Sequence, residues 1–179
     1  MVRVTVNGTE YEYKIGTTFA EIANDLQENY KTKIILADVN GKYKELNKVL
    51  SVDSDIKFIT VDSKHGFKCV RRTMVMIMLK AIKDVFGDKV DRVKTEFTIG
   101  KGIYCTVKSS VELNDDFTAA IKKRMQEIID EDMPIEKMSY ATEDMIQKFR
   151  EWKMYDKESL FRFRRSSRVN IYSIGDYFD

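Results

Sequence analysis

Four arginines near the carboxyl end, Arg162, Arg164, Arg165 and Arg168, interleave with Phe161 and Phe163. Guanidinium groups pair with phosphate oxygens and aromatic rings stack on bases, so this spacing suits a nucleic-acid contact. The same pattern also suits a solvated strand edge or a surface between domains. With 31 basic and 29 acidic residues, the chain has a formal net charge of only +2, and any nucleic-acid role must be local.

Other reactive patterns are sparse. His65 is the sole histidine, which removes every metal site or catalytic dyad built on two imidazoles. Beside Gly66 and the polar run Asp62-Ser63-Lys64, it reads as an exposed side chain in a break between domains rather than as a general base. No GxxxxGK followed by Ser or Thr is present, so no phosphate-cradling loop is predicted, and Gly100-Lys101-Gly102 reads as a hairpin turn. Asp115-Asp116 opens a helix and Asp130-Glu131-Asp132 closes one. Consecutive like charges at a helix carboxyl end oppose its dipole, so the second group reads as a solvated turn, and no metal site is expected. Cys69 and Cys105 form no CxxC pair and are expected to be reduced, buried and inert.

The elements that must position these residues follow from periodicity. A chain of 179 residues with 43% hydrophobic residues can bury a core, and its single proline, Pro134, and 8 glycines argue against disorder. No basic-then-apolar leader and no bilayer-length apolar stretch is present, from which a soluble cytoplasmic protein is expected. Residues 2–6 and 11–14 alternate around Asn7-Gly8, predicting a hairpin. Thr17 or Thr18 then caps a helix that presents Phe19, Ile22, Ala23 and Leu26 at helical spacing. KIILADVNG and DIKFITV supply further strands, the first ending in a second turn at Asn40-Gly41. The order ββαββ predicts a ubiquitin-like β-grasp domain over residues 1–61.

An α+β domain is expected over residues 62–179. FKCVRRTMVMIMLKAIKDVFG reads as a long helix buried on most sides, with Met74, Met76 and Met78, and Met125 from elsewhere, filling core space. Two strands flank the Gly100 turn, and Leu113-Asn114-Asp115-Asp116 caps a helix beginning FTAAIKK. A strand over 133–140, a helix over 142–152 opened by Thr142-Glu143-Asp144, a turn over 157–161 and a strand over 168–174 follow. YSIGDYFD is apolar and strand-like without a polar tail, which suits either a chain that stops inside a domain or a terminal strand tied into a sheet.

This order, with VNGTEYEYKIGTTFAEIA, ILADVNGKYKELNKVL and IKFITVDSKHGFKCVRRTMVMIMLKAI, resembles the two-domain amino-terminal region of threonyl-tRNA synthetases. The first part is similar to their TGS domain. The second is similar to their editing-associated domain through GKGIYCTV, ELNDDFTAAIKKRMQEII and IEKMSYATEDMIQKF. In that family an HxxxH pair at the start of the helix serves editing or metal binding. The matching positions here are Arg72 and Met76, and a guanidinium and a thioether cannot replace two imidazoles, so the resemblance implies that editing chemistry is absent.

VRRT and the final segment FREWKMYDKESLFRFRRSSRVNIYSIGDYFD also resemble bacterial uridine kinase-like proteins, which carry the same two domains ahead of a P-loop kinase domain. That resemblance implies a non-catalytic regulatory or ligand-binding module acting on a kinase domain in cis, with ATP and magnesium used only by that domain. Arg71, Arg72 and Thr73, faced by Lys101 and Tyr104, would bind the ligand, a nucleotide or RNA. On the bland reading Arg72 forms an ion pair and Thr73 caps the helix. The alternative is a tRNA- or RNA-binding module using Arg162, Arg164, Arg165 and Arg168, with the cleft lined by Arg71 and Arg72. A protein-interaction module offering a β-grasp sheet face or edge is a third expectation.

Overall fold

A computed structural model describes residues 1–179 and divides into two units, Met1–Met74 and Val75–Asp179. Both are α+β. In the first, β1 (Val2–Val6) and β2 (Thr9–Tyr13) form an antiparallel hairpin, followed by α1 (Phe19–Leu26), β3 (Ile34–Val39), β4 (Lys42–Lys44) and β5 (Ser54–Thr60). The sheet order is β2-β1-β5-β3-β4, with β1 and β5 parallel in the centre, as the β-grasp plan requires.

Local chemistry explains these elements. Asn7-Gly8 and Asn40-Gly41 take φ values of 50° and 84°, and of 51° and 79°, the positive pair that a two-residue hairpin turn demands. Thr18, not Thr17, caps α1: its Oγ1 accepts from the Glu21 amide (3.2 Å), and the Glu21 carboxylate accepts from the Thr18 amide (2.7 Å). Such a reciprocal box satisfies two amide donors that the helix start would otherwise leave unpaired. Val2, Val4 and Val6 point to the same side as Phe19, Ile22, Ala23 and Leu26, and close over Ile34, Ala37, Leu50, Ile56 and Phe58.

The polar run after β5 is an ordered junction. Asp62 Oδ1 accepts from the hydroxyls of Thr32 and Thr60, each at 2.6 Å, and these bonds hold its carboxyl below its ordinary range. Ser63 donates to the Thr60 carbonyl (2.8 Å) and accepts from the Gly66 amide (3.0 Å), so Ser63 caps the long helix α2 (Lys64–Phe86). A Cβ on Gly66 would lie 1.9 Å from the Thr60 carbonyl oxygen, and the His65 and Tyr43 rings are 5.2 Å apart. These contacts tie the polar run and the first turn of α2 to the first unit.

The long helix is not buried on most sides. Over its first half only Gly66 is buried, and Phe67, Val70 and Met74 are exposed; burial begins with Met76 and Ile77 and continues through Lys80, Ala81 and Ile82. Dense apolar residues do not guarantee burial when nothing packs on every face.

In the second unit, β6 (Val90–Ile99) and β7 (Gly102–Ser109) form a two-stranded ribbon, followed by α3 (Asp115–Asp130), whose cap is Asn114. Next come β8 (Ile135–Ala141), α4 (Thr142–Glu151), α5 (Tyr155–Phe161), β9 (Arg168–Ile174) and β10 (Tyr177–Phe178), the three strands ordered β10-β9-β8. The Thr142 hydroxyl donates to the Ser166 carbonyl (2.5 Å) and does not cap α4. The stretch 157–161 is the end of α5 rather than a turn. One core gathers Met76, Ile77, Ala81, Phe117, Ile121, Ile128, Ile174 and Tyr177, with Met78, Met125, Val93 and Val107 against it; a second gathers Met145, Phe149, Phe161, Val169 and Ile171. Both cysteines are half-buried, and burial raises the Cys105 thiol above its ordinary value.

Candidate nucleic-acid interface

The carboxyl-terminal arginines divide into two kinds. Glu158 is buried, its side chain 8% exposed, and its Oε1 accepts from Arg150 Nε (3.0 Å) and Nη2 (2.7 Å) and from Arg162 Nη2 (2.5 Å). A buried carboxylate needs such partners, and the bonds from Arg150, then Arg162, hold it below its ordinary range. Arg168 donates from Nε to Ser139 Oγ (3.1 Å) and from Nη2 to the Ser139 carbonyl (2.7 Å), fastening β9 to β8. Arg162 and Arg168 are thus tied into the fold.

Between them, the segment 162–167 leaves the end of α5 and crosses to β9. Phe163 is 85% exposed. The Arg164 guanidinium lies 5.1 Å from the centroid of the Phe161 ring, and Arg165 is exposed with no ion pair. Two cations and a bare aromatic ring on one segment can contact phosphate and base together.

The residues grouped around the helix are differently placed. Arg71 stands 6.0 Å over the Phe67 ring. Arg72 is exposed without an ion pair, and Thr73 is exposed in the interior of α2, far from the cap that Ser63 supplies. All three belong to the first unit, whereas Lys101 and Tyr104 belong to the second. Lys101 sits at the exposed ribbon turn. Tyr104 stacks on Phe97 (centroids 5.1 Å apart), on the ribbon face opposite the one that packs Val107 into the core. Met76 is buried among apolar side chains.

Sequence reasoning overlooked Phe97 and the cations Arg92, Lys94 and Lys108 that share its ribbon. Their signal, alternation along β6, is interrupted by an extra residue between Thr95 and Phe97. A shallow cavity of about 330 Å³ lies here, lined by Arg92, Lys94, Glu96, Thr106, Val107 and Lys108. No group of three or more His, Cys, Asp or Glu residues is arranged to hold a metal ion, and no helix is long and apolar enough to cross a membrane.

No family model matches the chain. It is similar along its whole length to curated threonine–tRNA ligases. That of Maricaulis maris is 29% identical over 186 residues, covering 100% of this chain and 28% of its own length. That of Halalkalibacterium halodurans is 27% identical over 181 residues, with the same coverage. Threonine–tRNA ligase 2 of Bacillus subtilis is 27% identical over 174 residues, covering 97% of this chain and 27% of its own. The chain therefore spans little more than a quarter of the length of these relatives, and the region it matches is their amino-terminal one. The nucleoside-kinase expectation draws no support from them.

Proposed function

We propose that this chain is an RNA-binding module of the kind found at the amino end of threonine–tRNA ligases, that it engages tRNA, and that it performs no editing chemistry of its own. The observation that carries this reading is the similarity to those ligases across the full chain, both units included. The exposed segment with Phe163, Arg164 and Arg165 supplies groups suited to the ligand, since guanidinium groups meet phosphates and a bare ring meets an unpaired base.

The loss of editing follows from side-chain chemistry. Arg72 carries a guanidinium, a hydrogen-bond donor with no acceptor, so it supplies neither a base nor a metal ligand. Met76 is a thioether enclosed by core residues, with no proton to exchange.

Titration of the chain with unmodified tRNA at low ionic strength tests the reading. Arg164→Ala together with Arg165→Ala is expected to weaken binding and to reduce the slope of log K against log salt by about 1 for each phosphate that is no longer neutralised. Absence of binding at low ionic strength, or binding indifferent to both substitutions, contradicts it.

A further inference from the structure

We propose that the outward face of the β6–β7 ribbon is a platform for a single-stranded nucleic acid, with an unpaired base stacking on Phe97 and Tyr104 and the flanking phosphates held by Arg92, Lys94 and Lys108. The inference rests on the RNA-binding reading and adds a second contact surface to it.

The register creates this face. Arg92 pairs with Lys108, Val93 with Val107, Lys94 with Thr106, and Thr95 with Cys105; the pairing then skips Glu96 and resumes with Phe97 opposite Tyr104 and Ile99 opposite Gly102. A one-residue bulge reverses which side chains point outward. Strict alternation would send Phe97 to the side of Val93, which packs in the core. With the bulge at Glu96, Phe97 and Ile99 join Arg92 and Lys94 on the open side. The Phe97 and Tyr104 rings lie 23° from parallel, and they are 58% and 48% exposed. The pair itself steadies the ribbon, as facing aromatic residues on adjacent strands do, and its exposed ring faces leave room for a base to stack.

The electrostatics suit an anion. Arg92 and Lys108 stand directly opposite each other across the ribbon, a like-charged cross-strand pair that an anion lying over both would relieve. Three carboxylates are near. Glu96 is already engaged, accepting from Lys94 Nζ (2.7 Å) and Thr106 Oγ1 (3.0 Å), bonds that hold it ionised below its ordinary range. Asp156 and Asp91 lie 3.8 Å from Arg92 and 3.4 Å from Lys108, both in exposed pairs of the kind that contributes little and exchanges readily with a phosphate. Ring faces beside a cationic row match the combination by which single strands are bound without base-edge readout. A continuous duplex keeps its bases stacked inside and offers none to Phe97.

A labelled decauridylate, titrated against the whole chain at low salt, tests the proposal alongside a closed RNA duplex. Phe97→Leu with Tyr104→Leu is expected to weaken decauridylate binding about tenfold, the size of losing a base–aromatic stack, and to leave duplex binding unchanged. Arg92→Ala with Lys108→Ala keeps the rings and is expected to reduce the salt slope by about 2. All four positions are exposed, and an unchanged thermal midpoint verifies that the variants fold. If the chain binds tRNA yet neither double variant alters decauridylate binding, the platform is wrong and the RNA-binding reading survives. If it binds neither RNA, both fall.

Discussion

Lys80 and Asp176 are 96 residues apart in the chain and meet at 2.7 Å, each next in sequence to a residue of the second unit's main core, Ala81 and Tyr177. The Lys80 side chain is only 7% exposed, and Asp84, one turn along α2, contacts the same ammonium. Burial opposes the charge on Lys80, but the bonds to Asp176 and Asp84 outweigh it and raise its pKa above the ordinary value. Asp84 also accepts from Arg124 (2.9 Å), which reaches Glu131 at 3.1 Å, so α2, α3 and the β9–β10 turn share one charge network.

Asp176→Ala is expected to destabilise the second unit by about 1–2 kcal/mol, less than the roughly 3–5 kcal/mol of breaking a fully buried pair, because Asp84 still faces the ammonium. Urea denaturation of the variant against the parent checks the value. A change under about 0.3 kcal/mol means that the network is electrostatically slack.

Acid should weaken the molecule by a definite route. Arg150 and Arg162 depress the pKa of Glu158, and Lys80 depresses that of Asp176. A depressed carboxyl binds fewer protons folded than unfolded, so its contribution is complete above the ordinary carboxylate pKa and is lost as pH falls through the depressed value. Thermal midpoints measured from pH 7 downward should fall below about pH 4.5. Glu158→Gln should have a lower midpoint at pH 7 and a shallower decline in acid.

Gly66 has no room for a side chain. The first turn of α2 lies against the backbone of Thr60 so closely that Gly66→Ala must displace main chain, and a loss of about 3 kcal/mol or more is expected. Gly8→Ala, whose Cβ would meet nothing, is the control; it is expected to lose less, through its positive φ alone.

Much of the fold was legible because its determinants are local. Asn7-Gly8, Asn40-Gly41 and the Thr18/Glu21 box each write their geometry within four residues. The candidate sites were less legible because their determinants are distant or shifted. Arg162 meets Glu158, four residues before it, because Tyr155–Phe161 is a helix and not the turn expected over 157–161, and Ser139, 29 residues away, reaches Arg168 only through the fold. Phe97 was hidden for a different reason: the bulge at Glu96 breaks the alternation from which its face would be read. The exposure of α2's first half was equally illegible, since helical periodicity shows which residues share a face but not whether another element covers it.

Editing is open to direct assay. Incubated with a mischarged tRNA, the chain is expected to release the amino acid no faster than buffer does, because neither Arg72 nor Met76 supplies a base or a metal ligand. Catalysed release would show that another group does this work.

The central claim, that this chain holds tRNA, is tested most directly by measuring the affinity of unmodified tRNA for the whole chain as a function of salt. Binding is expected at low ionic strength, declining linearly on a log–log plot with a slope of about −2 or steeper, set by Arg164 and Arg165 and by any ribbon contacts. Absence of binding, or an affinity that does not change with salt, would contradict it.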